Sequence, residues 1–250
     1  METKMFFDDY QKILAAQLEK LQGNRPVIEE AAQAIAEAMQ TGHFVFCAEI
    51  GHGIQADFIN RAGGLGNVRY FTWSMNFNNA MPTCAQSRPG GCPNKEIALT
   101  RAAVNTSNMR PGDIIITCSV SGRNVRPIET ALACHDLGMK VIAMTSVDYA
   151  KKTPSSHPSG KSLYECADWV IDLMTPYGDA AVTIDGYPNA LVPLSGYSQD
   201  VTGWMLWGRV MEIMGKLPEK DRPAVFMSYN GAGGEEAYKR THELLNSRGY

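Results

Sequence analysis

Two serines, a glycine, an arginine and an asparagine crowd into Ser119-Val120-Ser121-Gly122-Arg123-Asn124. Short hydroxyl side chains beside a glycine leave backbone N–H groups unobstructed, and such a cluster suits an anion, phosphate above all. Titratable groups recur elsewhere in similar settings. Glu49 and His52 follow one apolar run, Ser146 follows another, His157 and Lys161 share a polar stretch, and Asp179 closes Pro176-Tyr177-Gly178-Asp179. Carboxylates and imidazoles next to an anion site are the groups that move a proton between adjacent carbons of a polyhydroxylated ligand, as aldose–ketose isomerisation through an enediol requires. Glu49, His52 and His157 are therefore the acid/base candidates. Ser119, Ser121, Gly122, Arg123, Asn124, Ser146, Lys161 and Asp179 are the substrate-binding candidates. Plainer roles stand beside these: the serine stretch as a simple connector, Glu49 as a cap on the following helix, and His157 as a solvated loop residue.

Such residues converge only if strands and helices bring their loops to one edge. Ile114-Ile115-Ile116-Thr117-Cys118 reads as a strand covered on both faces, since it is continuously apolar and β-branched. The serine cluster follows it directly, and Pro127 to Leu137 reads as a helix ended by Gly138. Phe44–Ala48, Val68–Trp73, Lys140–Thr145 and Trp169–Asp172 are the other predicted strands. Helices are expected before and between them. In Asp8–Leu21 the residues Ile13, Leu14, Leu18 and Leu21 fall on one face, and Ile28, Ala31, Ala32, Ile35 and Met39 form a narrow Ala-rich stripe. Asn24 is a candidate cap for that second helix, with Pro26 in its first turn. Gln199–Met214 carries a Met/Trp stripe suited to core or interface. A short strand is expected at Ala224–Met227, and a last helix over Glu235–Leu245. Alternating strands and helices predict a doubly wound, five-stranded parallel sheet, whose ligands sit at the carboxyl ends of the strands.

Composition narrows the function classes. Of 250 residues, 44% are hydrophobic and 20% charged, ordinary for a globular protein, and the formal net charge is −3. No basic stripe interleaves with aromatics, so nucleic acid is not an expected partner. No apolar run reaches the ~20 residues that span a bilayer, and acidic residues interrupt the first stretch, unlike a signal peptide. The six cysteines are scattered. Cys47, Cys118 and Cys134 lie in apolar segments and read as buried reduced thiols of a cytoplasmic protein. Cys84 and Cys92 share a Pro/Gly-rich loop without the second pair that a zinc site would need. No cofactor or metal is expected.

The serine loop after Asp113-Ile114-Ile115-Ile116, with Ile128-Glu129-Thr130-Ala131-Leu132 and Gly138 to Thr145, resembles the SIS (sugar isomerase) domain family of phosphosugar-binding proteins. The resemblance runs from about Gly42 to Gly234 and is nearest to an uncharacterised subgroup of phosphosugar isomerases. It is carried by Arg61–Leu65, Arg110–Asp113, Ser121–Asn124, His157–Tyr164 and Gly178–Ala180. It implies a flavodoxin-like strand order, residues 42–250 as the SIS domain with C-terminal helices, and residues 1–41 as a helical segment packing on that core or on a partner subunit. It also implies a homodimer or homotetramer with shared sites and a sugar phosphate, or a sugar bearing another anion such as sulfonate, on the serine loop. Family activities include isomerisation, ether cleavage and deamination, and some members only sense their ligand. The chain departs from the subgroup after the first strand. There Cys47-Ala48-Glu49-Ile50-Gly51-His52 replaces a Gly-x-Gly-His-Ser-His loop, and only His52 matches. Gln199-Asp200-Val201-Thr202 aligns loosely with a Gln-Glu-Val-His segment of phosphoheptose-isomerase-like members, whose histidine is Thr202 here.

Overall fold

One parallel sheet runs through the chain in the order β2-β1-β3-β4-β5. Its strands are β1 (Val45–Ile50), β2 (Val68–Phe71), β3 (Ile114–Cys118), β4 (Lys140–Thr145) and β5 (Trp169–Asp172). This is the doubly wound α/β arrangement that the alternating pattern predicts. The computed structural model describes residues 6–50, 55–59, 61–76, 78, 80–85, 92 and 94–249, with the backbone alone at 49, 50, 55 and 56. β3 occupies the centre and every one of its residues is buried, which is why it reads as an unbroken β-branched run.

Helices cover both faces. α1 (Phe6–Leu21), α2 (Arg25–Gln40), the single turn α3 (Gln55–Phe58) and α7 (Ser195–Met214) lie on one side. α4 (Lys95–Thr106) and α5 (Val125–Asp136) lie on the other. Strand residues alternate between the two cores: Ile114 and Ile116 face the first, Ile115 the second. The small residues of α2, Ala31, Ala32 and Ala36, are fully buried and let it close on α7, whose Leu206, Trp207, Val210 and Met214 fill the space between. The Met/Trp stripe of α7 is therefore core at Trp207 and Met214.

Several local expectations are revised. Asn24 makes no side-chain cap; instead its carboxamide exchanges two hydrogen bonds with the backbone of Asp172, giving to the carbonyl and taking from the N–H, each at 2.8 Å. The exposed edge of β5 offers an unpaired N–H and C=O, and a buried Asn satisfies both at once. α7 begins at Ser195 rather than Gln199, because Asp179 caps it. β1 continues through Ile50, so the backbone of Glu49 belongs to the strand and not to the loop after it. Its register against β3 slips between Cys47 and Ile50, an irregularity that re-aims a strand end. The polar stretch after Ser146 contains α6 (Val147–Lys151), and the region before Ser195 holds a small antiparallel hairpin of β6 (Ala180–Val182) and β7 (Leu191–Pro193). The tail strand expected at Ala224–Met227 forms one bridge, Leu65 with Val225, before α8 (Gly234–Arg248). No helix among the described residues is long and apolar enough to cross a membrane.

The Arg110–Asp113 turn serves the opposite end of the sheet. The Asp113 carboxylate accepts the Phe44 N–H at 2.9 Å and the Arg110 N–H at 2.8 Å, tying β1 to the turn before β3. Gly112 has φ +92, a left-handed conformation that glycine adopts without the strain any other residue would carry.

Candidate functional site

The chain turns from β1 to β2 on one side and to β3 on the other, so the loops at their carboxyl ends diverge and leave a crevice. A cleft of about 770 Å³ opens there. Ala48 of β1, Thr117 and Cys118 of β3 and Ser119 just after it line its floor, with Ser121 and Asn124 leading into the first turn of α5. The start of α7 supplies Ser195 and Gln199, and Asp179 lies beside them.

Ser119 holds the most telling atom. Its Oγ is buried and has no hydrogen-bond partner among the described residues, and the same is true of Thr117 Oγ1. A buried hydroxyl without a partner costs free energy unless a ligand or water satisfies it. The loop beyond is tightly fixed. The Ser119 N–H gives to the Met144 carbonyl, and Gly122 turns back with its N–H on the Ser119 carbonyl at 3.0 Å. Gly122 has φ +65, and a Cβ there would lie 2.9 Å from that of Ala150, so both conformation and space demand glycine. The N–H groups opening α5 and the positive end of its dipole then face the crevice with the hydroxyls, the arrangement that holds an anion.

The sequence-derived candidates divide into two sets. Ser119, Ser121, Asn124 and Asp179 line the cleft, and Gly122 shapes its loop. Arg123 is turned outward, donating from Nη2 to Ser156 Oγ at 2.8 Å. Ser146 is buried at the start of α6, where its Oγ accepts the Thr175 N–H and lies 2.5 Å from Thr175 Oγ1. Lys161 is exposed and does not line the cleft. His157 does not line it either: it is buried against Glu129, Nε2 to Oε2 2.7 Å. Glu49 is described only through its backbone, at the end of β1 above the cleft floor, and His52 lies outside the described residues. Asp179 is committed to structure, because its carboxylate accepts the Leu194 and Ser195 N–H groups and the Ser195 Oγ–H at 2.6 Å.

Several lining residues carry no sequence signal of their own. Trp73 stands just past β2, and the Arg126 guanidinium lies over its ring, 4.1 Å from the centroid, while Nη2 donates to the Trp73 carbonyl at 3.1 Å. Tyr149 and Ser156 come from the segment after β4. Gln199 donates to Cys118 Sγ at 3.0 Å. Burial pushes the Cys118 thiol up to about 12 against the smaller opposing effect of Gln199, so it is no nucleophile at neutral pH. Thr202 is buried with its Oγ–H on the Ser198 carbonyl at 2.7 Å, which leaves it no acid/base role.

Residues 6–146 match a family model described as the SIS domain. A UPF0309 protein of Geobacillus kaustophilus is 32% identical over 226 residues, 88% of this chain and 86% of that one. A UPF0309 protein of Caldanaerobacter subterraneus is 35% identical over 245 residues, 95% of this chain and 93% of its own. Among solved structures, a phosphoheptose isomerase from Francisella tularensis is similar at a TM-score of 0.51 and 16% identity, covering 82% of this chain and 95% of that chain. A phosphoheptose isomerase from Neisseria gonorrhoeae is similar at a TM-score of 0.51 and 14% identity, covering 84% and 97%. At such identities the likeness to these two structures is one of fold.

Proposed function

Since this chain belongs to the SIS domain family, we propose that its cleft binds a sugar phosphate, or a sugar carrying another anionic group such as sulfonate, and isomerises it between aldose and ketose. The observation that carries this reading is the buried, unpartnered Ser119 hydroxyl beneath the first turn of α5. It is a donor waiting for an acceptor at the place where a helix start favours negative charge. Ser121, Asn124 and the α5 N–H groups would share the anion. The acid/base work would fall to Glu49, in β1, and to His52, three residues later in the sequence. One would take the proton from the carbon next to the carbonyl and return it to the neighbouring carbon through an enediol, while the other protonates and deprotonates the oxygens.

Ligand sensing without turnover is the competing reading. It is favoured by the engagement of Asp179 as the α7 cap and of His157 with Glu129, which leaves fewer groups for proton transfer. One experiment separates the two. Sugar phosphates and sugar sulfonates are first screened by thermal shift, and those that stabilise the protein are incubated with it in D₂O and followed by proton NMR. Isomerisation requires loss of the proton signal at the carbon adjacent to the carbonyl. Stabilisation with no exchange overturns the enzymatic reading, and no stabilisation by any of these ligands overturns the binding site.

A further inference from the structure

Glu129 and His157 are a buried pair that the chemistry above does not use. Glu129 sits one turn inside α5 with its side chain 2% exposed, and His157, 6% exposed, reaches it from the segment after α6. Burying a carboxylate is costly unless both oxygens are engaged. Here His157 Nε2 hydrogen-bonds Oε2 at 2.7 Å, while Arg101 Nε, 2.5 Å from Oε1, pairs with it by charge without hydrogen-bond geometry. The other ring nitrogen fixes the tautomer. His157 Nδ1 accepts the Ser159 N–H at 3.1 Å, so the ring proton is on Nε2 and points at Glu129.

The segment that this pair anchors forms the outer wall of the serine loop. The Ser156 N–H donates to the Arg123 carbonyl at 2.9 Å, and the Leu163 N–H donates to the Gly122 carbonyl at 2.8 Å. In a planar trans peptide the C=O of one residue and the N–H of the next point in opposite directions. Holding the Gly122 and Arg123 carbonyls with the Leu163 and Ser156 N–H groups therefore fixes the Arg123 and Asn124 N–H groups in the opposite direction, within the loop whose Ser121 and Asn124 line the cleft.

We propose that the Glu129–His157 hydrogen bond is a positioning device for the anion loop: it pins residues 156–163, whose N–H groups hold two loop carbonyls and so aim the next two N–H groups at the ligand. His157 thereby acts through the backbone of its neighbours and touches no reacting atom. The proposal rests on the anion-binding reading of the serine loop.

The test compares the full-length protein with the variants His157→Leu and His157→Gln. Gln keeps an N–H donor for Glu129 Oε2; Leu leaves that oxygen without one. Three readouts are taken: amide hydrogen exchange at Ser156, Leu163 and, as a core reference, Ile142; affinity for inorganic phosphate by titration; and the ring ¹⁵N shifts of His157 in the parent protein. The expected result is an Nε2–H tautomer and, in His157→Leu, at least tenfold faster exchange at Ser156 and Leu163 with Ile142 unchanged. Phosphate affinity falls tenfold in the same variant, and His157→Gln restores most of both. If His157→Leu does not fold, the tautomer of the parent protein decides: a ring proton on Nδ1 leaves Glu129 without the hydrogen bond and overturns the proposal. A parent that binds phosphate and a Leu variant that binds it equally well overturn positioning alone. A parent that binds neither phosphate nor any sugar phosphate overturns the anion site, and the positioning claim with it.

Discussion

Ser119 sets an unusual balance between stability and binding. Its Oγ is buried at the cleft floor with no partner among the described residues, so the folded protein gains nothing from the hydroxyl and bears its desolvation. Removing such a group is neutral or stabilising, whereas losing a hydrogen bond to a charged ligand costs about 1.5–3 kcal/mol. Ser119→Ala is therefore expected to leave the melting temperature of the ligand-free protein unchanged or slightly raised. The same substitution should weaken sugar-phosphate binding roughly 10- to 100-fold, as read by titration calorimetry. Equal affinity in the variant would remove Ser119 from the site. Asp179 shows the reverse case, a cleft-lining carboxylate held by two N–H groups and a hydroxyl at the start of α7.

At the scale of elements, α3 and α7 meet without slack. A Cβ on Gly203 would fall 1.8 Å from the Phe58 ring, and that ring is itself buried edge-on to Trp207, with centroids 6.3 Å apart. Nothing there can yield, so Gly203→Ala is expected to destabilise the protein by about 2–3 kcal/mol through overpacking, measured by chemical denaturation. What the sequence reveals of such elements follows from how local their causes are. β3 is legible because a strand buried on both faces must be apolar throughout. The serine loop is legible because glycine and two hydroxyls beside a helix start are a local pattern. The role of Asn24 is not, since a cap and a strand-edge clasp use the same side chain and the partner, Asp172, lies 148 residues away. β6 and β7 have three residues each, too few for a period to show. Trp73 and Arg126 join the site because the strand order brings the loop after β2 and the first turn of α5 to one edge. The sequence marks His157 as an acid/base candidate or a solvated loop residue; only the fold shows that it turns inward to Glu129.

For the molecule as a whole, two apolar cores sandwich the sheet, and they enclose four of the six thiols. Cys47, Cys118, Cys134 and Cys166 are buried, while Cys84 and Cys92 are exposed. Burial pushes Cys47, Cys118 and Cys134 up to about 12, so at pH 8 almost none of each is thiolate, the reactive form. A colorimetric thiol assay on the native protein at pH 8 is expected to report two fast groups. The other four should appear only in denaturant. More than two fast groups in the native state would contradict the packing of the cores.

The placement of the first two helices has a consequence for biosynthesis. Gln17 of α1 bonds to Ser198, 181 residues later, and Glu29 of α2 pairs with Arg209, 180 residues later. A ribosome adding about 5–20 residues per second takes roughly 10–40 s to cover that distance. The same delay separates the emergence of α2 from the exit tunnel from that of α7, and during it the apolar stripe of α2 has no α7 to cover it. The nascent chain thus presents Ile28, Ile35 and Met39 to the surrounding cell before it can bury them against α7, which makes α2 a segment on which a chaperone would act.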